Sequence, residues 1–477
     1  MRRTAWVQST NIILGVALDQ LVADTLAGSV AHVWPFFGEV GWPDKTFTAN
    51  IAREENRVKV SVLAPGPIGS VLDTIPEHDH MPNSLLAVSE VHGTLLFDVT
   101  RIGGRRVVGG SRASSRHYYA RAIAVGFSAD RLKSSKMYEM TAYFPGMEYW
   151  SSLTGSTTEV ERDQFGRPKV ITTRIEAAPE HVSQLSSARS IVLSTHFAVT
   201  GPKDDQRVFT PLSISSVSRS PMDWRVHMNT LISIQNLVSL CWDGFVSADG
   251  GYVRLDLVDP EEISNAKFWS DRLMEVPVGT QPPDPHQSFP LLRYETIGGI
   301  DGIRRWLRLS AEHYRATGPL TARHRISRHT PGESRLLDIC TGIEYWVNYH
   351  TKKGRAWAKQ KNRKDVQPER LARHLGSDFT EFVGVPQKWA RLLWKRYEAL
   401  KHEPVYHYDA REIAVLADSA QVLLLCAVMN RVAGTKVATK VICESPRNDH
   451  LKWDVREVVT GERYPPVPTD DSVFRQS

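Results

Sequence analysis

The chain has 477 residues, 41% of them hydrophobic and 23% charged. That composition excludes a disordered or fibrous protein, and the length is too great for one ordinary hydrophobic core. The formal net charge of +6 is compatible with an anionic partner but does not by itself define one. No apolar run approaches the roughly 20 residues of a bilayer-spanning helix, so no membrane partner is expected. Arg2 and Arg3 precede a short apolar stretch, 12–18, but polar residues separate them and Asp19 follows, which is a poor secretory leader. Cys241, Cys340, Cys426 and Cys443 are too scattered for a metal knuckle and suit the reduced, buried cysteines of a cytoplasmic protein.

In chain order, residues 1–33 are expected to form a helical extension. Residues 34–285 have the texture of a β-rich domain. Phe47, Ala49 and Ile51, then Val58, Val60 and Val62, alternate with polar residues as half-buried strands do. Strands are also expected near 95–99, 120–125, 169–175 and 190–199, with Gly- and Pro-rich punctuation between them. Many short strands of this kind suggest a sandwich or an open barrel. A helix over 223–240 should pack against the sheet. The segment 276–290 (VPVGTQPPDPHQSFP) is too rich in proline for a regular element and is the candidate linker.

Beyond it the apolar period becomes helical. Helices are expected over 301–317, 333–350, 367–375, 386–401 and 409–432, forming a helical domain over 295–440. Pro368 and Pro386 suit first turns, and Asp409 with Glu412 has the spacing of a capping box. Residues 441–477 should be a surface tail. The fold class is therefore α+β, a β-rich sandwich or barrel-like domain followed by an all-α bundle.

Basic residues cluster in three places: Arg101–Arg121, Arg304–Arg328, and 352–373. The last contains Lys352, Lys353, Arg355, Lys359, Lys361, Arg363 and Lys364, a candidate RNA-binding track in which Trp357 could serve as a stacking platform. Glu77, His78, Asp79 and His80 are metal-capable but form no convincing ligand set, and no metal or other cofactor is expected. Tyr118, Tyr119, Tyr149 and Trp150 are aromatic candidates for a binding face on the β-domain.

The segment 389–404 (WARLLWKRYEALKHEP) carries the sharpest chemistry. Trp389, Leu392, Leu393 and Leu400 make an apolar stripe with Arg396 in its middle, a costly place for an unpaired guanidinium. His402 precedes Glu403-Pro404, so the helix should end there. A guanidinium that grips a phosphate beside a titratable imidazole suits RNA cleavage, with the ribose 2′-OH as nucleophile.

Arg396 and His402, five residues between them, fit the R-x4-6-H signature, and the segment resembles the HEPN superfamily. The order of Phe37-Gly38-Glu39 with Trp42-Pro43, then Val91-His92-Gly93-Thr94, then the pattern from Glu333 to Trp346, resembles the ApeA family of bacterial anti-phage proteins more closely. That resemblance implies a β-rich ApeA domain joined to a HEPN bundle, abortive infection as the setting, and Arg396 and His402 as catalytic residues. It further implies a homodimer through the HEPN domain, RNA as substrate with tRNA a candidate, and a phage-derived trigger. Glu344 is expected to orient Arg396, from this chain or from a second copy, with Asp338 in support on the same helix, and a stripe continued across a dimer interface would explain how Arg396 is tolerated there. Tyr397 and Glu403 depart from the small polar residue and the glycine that many HEPN nucleases carry. The alternative they favour is a non-catalytic HEPN dimer that binds RNA or a protein partner.

Overall fold

The computed structural model describes residues 20–36, 47–65, 84–89, 92–106, 113–144, 146–200, 207–258, 265–280, 282–284, 288–325, 330–361, 366–403 and 407–461. Two compact units emerge. The first comprises 1–148, 152–235 and 247–276; the second comprises 149–151, 236–246 and 277–477. The longest segment of the second therefore starts at Pro277, at the head of the expected linker.

The first unit is built on β1 (Ser29–Phe36), β2 (Phe47–Glu54), β3 (Arg57–Pro65), β4 (Ser84–Val88), β5 (Gly93–Phe97), β6 (Thr100–Arg106), β7 (Ala113–Ala120), β8 (Ala122–Phe127) and β9 (Leu132–Phe144). After them come β10 (Ser156–Arg162), β11 (Pro168–Ile175), β12 (His181–Gln184), β13 (Arg189–Thr195), β14 (Ala198–Thr200), β15 (Arg207–Phe209), β16 (Leu212–Met222), β17 (Gly251–Leu257) and β18 (Asn265–Ser270). Among the described residues, fourteen strands form one antiparallel sheet in the order β12-β13-β16-β9-β17-β18-β8-β5-β4-β1-β2-β3-β7-β6, while β10–β11 and β14–β15 pair separately. The β-rich domain read from the sequence is thus one continuous ladder whose end strands are β12 and β6.

Alternation explains the ladder locally. In β2 and β3, Ile51 stands opposite Val60 and Ala49 opposite Val62, all buried, while Thr48 and Asn50 face outward. Glu55 takes a positive φ of 54° to close the hairpin between them. These side chains join Val33, Leu85, Leu96, Ile123 and Val125 in one core. The basic stretch 101–121 lies on the β6–β7 hairpin, and residues 107–112 at its turn lie outside the described set, as do 77–80. The expected extension is helical only over 20–28 among the described residues, because Ser29 already begins β1. The expected strand over 190–199 ends at Thr195, and β14 belongs to a different sheet.

Helix α1 (Trp224–Trp242) starts in the first unit and ends in the second. The second unit continues with α2 (Gly299–Glu312), α3 (Tyr314–Arg325), α4 (Gly332–Lys352), α5 (Gln367–Leu375), α6 (Ser377–Val383), α7 (Pro386–His402), α8 (Ala410–Ala433), α9 (Val437–Cys443) and α10 (Asp449–Thr460). Its spine is α4 packed on α8. Leu336, Ile339, Cys340, Ile343, Trp346 and Val347 bury the predicted stripe of α4, while α8 is buried over most of its surface. Gly342 lets the two helices approach: a Cβ there would lie 2.8 Å from Leu424 Cδ2.

Two expectations are corrected here. A single helix over 301–317 is broken at His313, whose backbone leaves helical geometry (φ −123°, ψ 39°) and whose ring is buried among Tyr345, Trp346 and Tyr349. The supposed tail from 441 holds the end of α9 and all of α10, where Arg411 grips Asp454 and Glu457 at 2.7 and 2.9 Å. All four cysteines are buried and free. One helix among the described residues, α8, is long and apolar enough to cross a membrane, and 78% of its apolar window is buried inside the protein.

Candidate functional site

Helix α7 starts with Pro386 in its first turn and ends at His402, after which Glu403 turns extended (φ −93°, ψ 117°). Both boundaries follow from the two prolines that flank it. Its buried face is Trp389, Ala390, Leu393, Tyr397 and Ala399. Tyr397, not Arg396, therefore continues the apolar stripe. Arg396 lies at the stripe's edge with its side chain 25% exposed, and Leu392 and Leu400 are half-buried.

Glu412, on the first turn of α8, meets Arg396. Arg396 Nε donates to Glu412 Oε1, and an Nη donates to Oε2 at 3.3 Å, a forked pair. This intrachain carboxylate explains how a guanidinium is tolerated beside greasy neighbours, so a dimer interface is not needed for that purpose. It also corrects the expected capping box: Asp409 caps α8 through the Arg411 backbone N–H at 2.8 Å, while the Glu412 side chain reaches across to α7.

Glu344 does not orient Arg396 within the chain. It accepts a hydrogen bond at 3.0 Å from the Tyr397 hydroxyl, whose ring is 1% exposed. Burial, reinforced by this carboxylate, pushes the Tyr397 phenol above its ordinary value. Tyr397 thus fills the stripe with its ring and spends its polar tip on α4, which gives a packing reason for its departure from the HEPN pattern. Lys401 lies over the same ring at 5.3 Å.

His402 is 64% exposed and pairs with Glu398, one turn back, at 3.2 Å. At 100° per residue it points about 120° away from Arg396 around the helix. One chain does not bring the two side chains together; each is held by its own carboxylate. Glu403 is exposed beyond the helix end. Asp338 is likewise separate, because six residues before Glu344 is again about 120° around α4. It is exposed and lines a cavity with Arg335 and His324.

The residues of the basic track differ in their surroundings. Lys352, Lys353, Arg355, Lys359 and Lys361 are all exposed, and Arg363 and Lys364 lie outside the described residues. Trp357 is no open platform, since it stacks on His374 at 4.3 Å with rings 6° from parallel. Arg370 is buried against the Ala358 carbonyl at 2.7 Å, and Arg373 is paired with Glu369. Of the four aromatics expected on the β-domain, Tyr149 and Trp150 belong instead to the second unit, and Tyr118 and Trp150 are buried. Tyr119 donates to Glu54, and Tyr149 is 41% exposed. Among the described residues no cluster of histidine, cysteine and carboxylate is able to hold a metal ion.

An antiparallel-sheet domain followed by an all-helical region, with an arginine and a histidine near one helix end, defines a two-part α+β protein of the kind expected from the sequence. Residues 64–306 match the family model for the ApeA N-terminal domain 1, and the chain belongs to that family. The family carries with it the anti-phage defence setting. Comparison with curated proteins and with solved structures found no match.

Proposed function

We propose that this ApeA-type defence protein is a metal-independent HEPN endoribonuclease that acts by abortive infection. The ribose 2′-OH would attack the adjacent phosphorus, forming the 2′-O–P bond as the P–O5′ bond breaks, and leave a 2′,3′-cyclic phosphate. His402 would move the proton, and the Arg396 fork would hold the phosphate as charge develops. The observation that supports this reading is the C-terminal part of α7, which carries a guanidinium 25% exposed at Arg396 and ends on a histidine 64% exposed at His402. Because they point about 120° apart, the active groove is one in which the α7 ends of two copies meet and each copy supplies what the other lacks. The exposed cations from Lys352 to Lys361 would carry the RNA backbone, with tRNA a candidate substrate. The β-rich unit would restrain cutting until it meets a phage-derived trigger.

The second reading is a non-catalytic HEPN dimer that binds RNA or a protein. It is favoured by the carboxylates on both candidate residues, Glu412 on Arg396 and Glu398 on His402. Incubating RNA with wild type, Arg396→Ala and His402→Ala in EDTA separates the two. The nuclease reading expects cutting by wild type, with a loss of about 100-fold or more in each variant. Equal cutting by all three removes the mechanism. Salt-sensitive RNA binding that survives His402→Ala, with no cutting by wild type, selects the second reading.

A further inference from the structure

Within the second unit, the end of α3, the start of α4 and the loop after α1 enclose a cavity of about 410 Å³. Its most unusual wall residue is His324, only 7% exposed, whose Nε2 has no hydrogen-bond partner among the described residues. Burial pushes this imidazole down to about 4, against the opposing pull of Asp243, so it is neutral at ordinary pH. A buried imidazole without a hydrogen-bond partner on that nitrogen is costly to keep, and its ring stands in the wall of this cavity.

Among the described residues, some of the charges around it are paired and others are not. Arg335 is taken up by Asp418 at 2.6 Å. Arg325 is turned to Asn236 at 2.7 Å and to the Phe245 ring. Arg323 lines the cavity, is exposed, and has no ion-pair partner among the described residues. Asp243 and Asp338 likewise line it without an ion pair among those residues. A second cavity, of about 420 Å³, shares Asp243, Arg323 and Gln421 with the first, so space continues past Arg323. The volume is within the range of small-molecule sites.

We propose that this cavity binds a phosphorylated small molecule bearing hydroxyl or amino groups. Its phosphate meets the Arg323 guanidinium, and its hydrogen-bonding groups meet His324, Asp243 and Asp338. Nucleoside monophosphates and sugar phosphates share that chemistry. The site is remote in role from Arg396 and His402 and stands whether or not the chain cuts RNA.

The test is calorimetric titration of the full chain with AMP, glucose 6-phosphate and inorganic phosphate, each to millimolar concentration. At least one organic phosphate should bind about tenfold or more tightly than inorganic phosphate; which one binds identifies the source. Arg323→Glu, at an exposed position, should keep the wild-type melting temperature and weaken binding by about 100-fold or more. Asp338→Asn should weaken the organic ligand and leave inorganic phosphate unchanged. His324→Phe, if folded, should do the same. Failure of every probe to bind, equal affinity for inorganic and organic phosphate, or binding indifferent to Arg323→Glu would each overturn the proposal.

Discussion

Glu412→Gln interrogates the contact on which the reading of α7 turns. The fork of Arg396 meets both carboxylate oxygens of Glu412, and the two side chains are 25% and 20% exposed. At an effective dielectric constant of about 20, unit charges about 4 Å apart attract by about 4 kcal/mol. Most of that is offset by desolvating both groups, and partial exposure screens the rest, leaving about 1–2 kcal/mol of coupling. The cycle uses Glu412→Gln, Arg396→Met, which keeps an apolar stem on the stripe, and the double variant. Urea unfolding followed by tryptophan fluorescence should show each single change costing about 1–2 kcal/mol, and the pair costing less than their sum by a similar amount. A coupling below about 0.3 kcal/mol, within the ordinary scatter of additivity, would show that Glu412 is not the counter-ion in solution. The cross-subunit explanation for Arg396 would then return.

Other consequences follow from packing, titration and charge. Gly342→Ala gains about 1 kcal/mol of helix propensity, but its Cβ would sit 2.8 Å from Leu424 Cδ2 and 3.3 Å from the Arg315 carbonyl. A net loss of about 1–3 kcal/mol is expected by thermal unfolding, and a stabilised variant would refute the close crossing of α4 and α8. Ser419→Ala leaves the Trp389 indole N–H, which donates to Ser419 Oγ at 3.0 Å, buried and unpaired. It should cost about 1–2 kcal/mol in urea, and a neutral result would mean another acceptor takes over. Burial pushes His324 and His350 down to about 4 from an ordinary value of 6.5, so the unfolded chain binds more protons than the native one in between. Stability should be level above about pH 6.5 and fall from there to about pH 4, by up to about 3 kcal/mol for each ring, and urea midpoints unchanged between pH 7 and 5 would contradict this. If the exposed cations carry RNA, Lys352→Gln with Lys359→Gln should reduce the slope of log affinity against log salt by about 2, and an unchanged slope would remove them from the track.

The periodic signals carried most of the architecture. Ile51 and Val60, read as alternating apolar positions, pair in register, and α5 occupies the predicted residues 367–375. Proline and cap chemistry placed the ends of α7 and the start of α8 because those signals act within one or two residues. Whatever depended on distant contacts was missed. No local pattern announces the break at His313, since the ring that ends α2 is held by aromatic side chains of α4. Residues 449–460 read as part of a surface tail, yet Asp454 and Glu457 bind this helix to Arg411.

The site shows the same division between what spacing encodes and what packing decides. A glutamate three residues into a helix has two outlets for its carboxylate, back to the cap or across to a neighbour, and the sequence is identical for both. Glu412 takes the second, because α7 presents a half-buried guanidinium within its reach. The separation of Asp338 from Glu344, by contrast, was legible from helical arithmetic alone. On the nuclease reading the pairing would also constrain catalysis. A phosphate that recruits Arg396 must compete with Glu412, and a coupling of about 1–2 kcal/mol lowers the apparent affinity for that phosphate roughly 5- to 30-fold. On the nuclease reading, Glu412 therefore biases the isolated chain toward the inactive arrangement, and any contact that draws its carboxylate away would raise cutting without touching His402.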